Sequence, residues 1–135
     1  MKAKLKLDTS QKVKKWLRNI PFYKRNIELK TQFYKSLYSD FSSTSAFSKA
    51  TEHYKKELDN LDNEMAQLLS DTKRLFSLLD EKERLVMTAR YINLIRWDYI
   101  EFQTFFSRRQ AIRVHDAAIE KLIGQEVFNP SVIEV

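Results

Sequence analysis

The chain has 135 residues, one glycine (Gly124), two prolines and no cysteine, and its 24 Lys+Arg against 18 Asp+Glu leave a net charge of +6. Glycine at well under the ~7% of ordinary usage excludes most β architectures, P-loops, Rossmann fingerprints and nucleophile elbows, whose turns need positive φ. The missing cysteines exclude disulfides, thiolate zinc sites and cysteine nucleophiles, which points to an all-helical protein of the cytosol. Charge is uneven: residues 1–35 carry a net +9, residues 36–83 a net −4 and residues 84–135 a net +1. A basic N-terminal third suits a polyanion, either nucleic acid or an anionic membrane surface. No apolar run reaches the ~18 residues of a membrane span, and the opening lysine-rich segment lacks the core of a signal peptide.

Asp8, Thr9 and Ser10 are N-cap candidates for a first helix whose Val13, Trp16, Leu17 and Ile20 recur at i, i+3, i+4 and i+7. Lys12, Lys14, Lys15 and Arg18 fill the opposite face. Pro21 disfavours helical angles at Ile20, so the helix is expected to end at 19–21. A second segment, 22–39, carries Phe22, Tyr23, Ile27, Phe33, Tyr34, Leu37 and Tyr38, and the Ser/Thr-rich run 40–45 is the best internal break. A long helix over 46–78 follows. Its Tyr54, Leu58, Leu61, Met65, Leu68, Thr72, Leu75 and Leu79 form a heptad seam that packs either on residues 22–39 or on a second copy as a homodimer.

Asp80 and Glu83 form an Asp-x-x-Glu start signal before Leu85, Val86, Ala89, Tyr91 and Ile92, with fraying expected near Asn93. A short helix is predicted over 97–104, with Trp97 and Ile100 facing inward. Ser107-x-x-Gln110 then reads as a capping box for a helix with Ala111, Val114, Ala118 and Leu122 on one buried stripe. Arg108, Arg109, Gln110, Ile112, Arg113 and Asp116 fall outside that stripe. Helix, short helix, brief turn and capped helix with leading arginines is a helix-turn-helix pattern. Arg109 and Arg113 can each offer a bidentate fork to guanine, and Gln110 can pair with adenine unless the capping box occupies it. Arginines at a helix N-terminus oppose the macrodipole, which slightly favours a functional reason for them.

The stretch Leu79-Asp-Glu-Lys-Glu-Arg84, Arg90-Tyr91-Ile92, Ile95-Arg-Trp97-Asp-Tyr-Ile100, Phe106-Ser107-Arg-Arg and Ala118-Ile-Glu-Lys-Leu122 resembles region 4 of housekeeping-type sigma factors. The larger layout is similar to the ArpU/RinA-like phage regulators, which implies activation of late phage genes in the cytoplasm of a bacterial host. By this resemblance Arg108, Arg109 and Arg113 take the exposed leading positions of a recognition helix, while Arg96 and Lys121 contact phosphates. The sequence departs from the pattern at three places: Arg96 replaces the capping Ser/Thr, Glu101 a small residue, and Phe105 the turn glycine. Phe105 implies either a reshaped turn or a ring held in place by burial. The N-terminal lysines Lys2, Lys4, Lys6, Lys12, Lys14 and Lys15, with Arg18, are candidates for DNA backbone contacts that carry no base preference.

The organisation expected is a basic helical region (1–44), a connecting helix (45–79), a helix-turn-helix module (80–124) and a C-terminal tail (125–135). Function follows as a DNA-binding regulator acting on double-stranded DNA. The alternatives are a module docking on bacterial RNA polymerase, for which Phe105 and Phe106 would be anchors, and a DNA-packaging subunit. No enzyme activity, cofactor or metal site is expected: His53 and His115 lie far apart, and no separated carboxylate pair suggests acid–base chemistry. Trp16 reads as a core residue rather than a membrane anchor.

Overall fold

A computed structural model describes residues 4–41 and 45–131. Lys2 and residues 42–44 of the expected break lie outside the described residues, as does the side chain of Tyr38. The fold is all-α, with one small two-stranded ribbon.

Strand β1 (Lys4–Lys6) pairs antiparallel with β2 (Glu126–Phe128), placing Leu5 opposite Val127 and Lys6 opposite Glu126. Residues 126–128 of the expected tail are therefore part of the fold. The Trp16 indole N–H donates to the Phe128 carbonyl at 2.9 Å, and the Phe128 N–H donates to Asp71 at 2.6 Å. Strand β2 is thus fastened through Phe128 to the helices that carry Trp16 and Asp71.

Helix α1 (Ser10–Leu17) is capped by Thr9, whose hydroxyl accepts from the Lys12 N–H at 3.2 Å. Val13, Trp16 and Leu17 are buried as their spacing predicts. The break comes at Arg18, before the proline, and α2 (Asn19–Phe41) already contains Pro21 as its third residue. First-turn N–H groups have no intrahelical partner, so the ring of Pro21 costs nothing there. The Asn19 amide donates to the Trp16 carbonyl at 3.0 Å, closing the end of α1.

Helix α3 (Ser45–Phe76), at about 1.5 Å per residue, is close to 50 Å long. It runs back along α2 as an antiparallel hairpin. The Tyr23 hydroxyl meets Glu64, Lys30 pairs with Glu57 at 2.7 Å, and Phe33 meets Tyr54 edge-on at 5.0 Å. The heptad seam is used within the chain: Leu61, Leu68, Thr72, Leu75 and Leu79 are buried, while Tyr54, Leu58 and Met65 are half-buried. A homodimer through the same seam has to displace these contacts.

One core joins the ends of the chain: Leu7, Trp16 and Tyr23 share it with Leu68, Leu75, Ile119, Leu122 and Val127. Each fully buried side chain of this size contributes about 1.5–3 kcal/mol. Residues from all four segments enter this core, so the divisions at 44, 79 and 124 mark changes of element within one packed unit. Among the described helices, none is long and apolar enough to cross a membrane.

Candidate nucleic-acid interface

Helix α4 (Glu81–Met87) starts with the full capping box that the sequence signals. Asp80 accepts from the Glu83 N–H at 2.8 Å, and Glu83 accepts from the Asp80 N–H at 2.9 Å. The helix widens into a π-helical turn, Thr88–Ile92, closed by the Asn93 N–H on the Thr88 carbonyl. A 3-10 turn (Trp97–Tyr99) leads into the short helix α5 (Ile100–Thr104), and α6 (Arg108–Leu122) follows after a three-residue turn. A second, smaller core of Val86, Ala89, Ile100 and Ala111 holds α4, α5 and α6 together, with Trp97, Phe106 and Val114 packed against it.

The turn keeps a left-handed residue without glycine. Phe105 sits at φ 62° and ψ 11°, and its N–H donates to the Glu101 carbonyl at 2.9 Å. Burial does not hold it, because its ring is 91% exposed. The backbone hydrogen bond and the packing of flanking Thr104 and Phe106 impose the geometry instead. Gly124 also has positive φ, 93°, just past the end of α6 where the sequence predicts a helix stop.

Ser107 caps α6 by accepting from the Gln110 N–H at 3.2 Å. Only that half of the expected capping box forms, which leaves the exposed Gln110 side chain unengaged among the described residues. Ala111, His115, Ala118, Ile119 and Leu122 are buried, and Val114 is half-buried. Arg109 and Arg113, one turn apart, are exposed and have no ion pair among the described residues. Beyond Arg113 the outer face turns acidic with Asp116 and Glu120. Among the described residues, the cations of α6 without an ion pair are therefore confined to its first two turns.

The other predicted cations are placed differently. The Asp98 carboxylate lies between Arg108, at 3.1 Å, and Arg96, at 3.7 Å, tying the entry to α5 to the start of α6. Lys121 sits at the far end of α6, where Glu83 holds it at 2.6 Å and Asp80 at 3.9 Å. The hydrogen bond to Glu83 raises the Lys121 pKa. This cation joins α6 to the capped start of α4, so the structure gives it a partner other than phosphate. Lys12 pairs with Asp8 at 2.9 Å, while Lys15 and Arg18 are exposed and Lys14 is half-buried.

Helix α1 packs on α6, and its Val13, Trp16 and Leu17 share the main core with Ala118, Ile119 and Leu122 of α6. Burial lowers the His115 pKa, the hydrogen bond to Asp116 opposes this, and the charges of Lys14 and Arg90 lower it further. Sequence reasoning missed the network at that place. The Tyr91 hydroxyl and the His115 Nε2 are 2.7 Å apart, and the His115 Nδ1 and the Asp116 carboxylate are 3.0 Å apart. The Arg90 guanidinium lies 4.4 Å above the Trp97 ring and donates to the Ile95 carbonyl. Tyr91 and His115 are 24 positions apart, so no local pattern in the sequence signals their contact.

Compared with known proteins, the chain matches no protein-family model, no curated protein and no solved structure.

Proposed function

We propose that the protein is a DNA-binding transcriptional regulator of phage type, with α6 entering a major groove and reading bases through Arg109, Gln110 and Arg113. The observation that carries this reading is the state of those three side chains. They are exposed, unengaged within the described chain, and grouped on the first two turns of a capped helix. A groove about 12 Å wide admits a helix only where its leading residues are long and polar. The acidic outer face from Asp116 onward suits shallow entry by the N-terminal half, since carboxylates are repelled by phosphates. Arg96 and Arg108, steadied by Asp98, and the α1 cations Lys14, Lys15 and Arg18 then serve the backbone. Late phage genes as the target, and activation as the sign, rest on the resemblance to ArpU/RinA-like regulators.

The test separates base readout from backbone contact. Arg109→Ala is expected to relax preference at one base position, at roughly 1–3 kcal/mol of discrimination. Lys14→Ala is expected to weaken all sequences alike and to reduce the log–log salt slope by about 0.9. Equal losses on specific and random DNA for both variants would remove the recognition role of α6.

A second reading has its own observation. Tyr99, Phe102 and Phe105 are 57%, 76% and 91% exposed along α5 and its turn, a set of aromatic anchors suited to docking on a protein such as RNA polymerase. Phe106, in contrast, is packed inward. Tight, salt-sensitive and sequence-selective DNA binding without polymerase would discard this reading as the sole function.

A further inference from the structure

A cleft of about 290 Å³ lies where α1, the start of α2, β1 and the segment after β2 meet. Its helical side is a single face, because Lys12, Lys15, Trp16 and Asn19 follow one another at steps of three, one and three. Leu5 and Pro130 complete it from the ribbon side, so the lining is mainly apolar. The cleft is built in advance of any ligand. The Trp16 indole N–H donates to the Phe128 carbonyl at 2.9 Å, which fixes the ring two residues from Pro130.

Two features indicate what the cleft takes. The first is charge: its ionic lining is Lys12 and Lys15, and no carboxylate lines it among the described residues. Asp8 pairs with Lys12 at 2.9 Å, both side chains being about half exposed, whereas Lys15 is exposed and has no ion pair among the described residues. An anionic group fits that pair of ammonium groups. The second is a buried acceptor. Asn19 is 3% exposed, and its amide N–H groups donate to the Trp16 carbonyl at 3.0 Å and the Lys15 carbonyl at 3.4 Å. Its Oδ1 has no hydrogen-bond partner among the described residues. Buried acceptors in native proteins are nearly always paired, and a ligand that brings an N–H or O–H to this side of the cleft supplies the donor.

We infer that the cleft is a binding site for a small aryl carboxylate whose ring carries an N–H or O–H. The carboxylate lies between Lys12 and Lys15, the ring packs on Leu5, Trp16 and Pro130, and the donor meets the Asn19 Oδ1. The volume, at the lower end of the ~300–1,000 Å³ typical of ligand pockets, suits a molecule of one or two rings. The inference does not depend on DNA binding, and its test contains no DNA.

Isothermal titration calorimetry of the full chain with indoleacetate and with hydroxyphenylacetate is the measurement, paired with NMR of the two indole N–H groups. At least one acid is expected to bind one to one with a Kd below about 1 mM, shifting the Trp16 indole resonance and leaving that of Trp97 in place. Methylating the ring N–H or O–H of that acid removes the donor, and esterifying it removes the charge. Each change is expected to weaken binding at least roughly tenfold. Lys15→Glu, at an exposed position, should weaken binding by a similar factor while the melting temperature holds, and Lys24→Glu on α2 should leave binding unchanged. Failure of both acids to bind, undiminished affinity for the methylated acid or the ester, indifference to Lys15→Glu, or a shift confined to Trp97 would overturn the inference.

Discussion

Phe105→Gly removes a ring that is 91% exposed from a backbone position held at φ 62°. Three contributions set the outcome. Left-handed geometry costs an L-residue roughly 1–2 kcal/mol, and glycine removes that cost. The ring buries about a tenth of its surface, so its loss forfeits only roughly 0.2–0.3 kcal/mol of the ~2–3 kcal/mol for full burial. Glycine loses more backbone freedom on folding, at roughly 0.5–1 kcal/mol. The variant is therefore expected to be more stable by about 0.5 kcal/mol, which for a chain of this length raises the melting temperature by about 2 °C. Phe105→Val, β-branched at the same angles, should lose stability, and Phe105→Asn should fall between valine and glycine. Urea unfolding followed by far-ultraviolet circular dichroism measures all three. A glycine variant less stable than wild type by about 1 kcal/mol would refute the reasoning, because the ring would then be holding the turn.

Other consequences follow from the buried polar contacts. His115 is 6% exposed and its pKa lies below the ordinary 6.5, chiefly through burial. The unfolded chain takes up this proton more readily, so His115 contributes stability above pH 6.5 that is lost as pH falls from there through the folded value. His115→Gln should flatten that part of a stability–pH profile, and an unchanged slope would exclude His115 as its source. Glu83→Ala removes half of a capping box and the partner of Lys121, with an expected loss of about 1–3 kcal/mol in urea melts. A loss near zero would mean that the α4–α6 tie is not formed in solution. Trp16→Phe keeps most of the burial but deletes the bond to the Phe128 carbonyl, for about 1–3 kcal/mol and faster amide exchange in 126–128. Exchange unaltered in that segment would contradict the fastening of the ribbon by Trp16.

Local signals were legible in the sequence because local physics produces them. The Thr9, Asp80 and Ser107 caps, the Val13–Trp16–Leu17 stripe and the Ala111–Ala118–Leu122 stripe all depend on neighbours within four to eleven residues. The ribbon was not legible. The lysine–leucine alternation at its start has period two, but its partner lies more than a hundred positions away. Pro21 misled by one element, since proline ends one helix or opens the next and only the Asn19 contact to the Trp16 carbonyl decides between them. Within the candidate site, the exposure of Arg109 and Arg113 followed from the stripe. The capture of Lys121 by Glu83 required the packed α4–α6 pair, and the bridge from Asp98 to Arg96 and Arg108 required the packing of α5 on α6.

The central claim, base reading by α6, is tested most directly by selecting bound duplexes from a random pool at two salt concentrations. The account predicts one sequence motif that persists at the higher salt, and an Arg109→Ala protein whose selected motif is degenerate at one guanine position. Recovery of unenriched sequence at both salts, or a motif identical for wild type and Arg109→Ala, would contradict it.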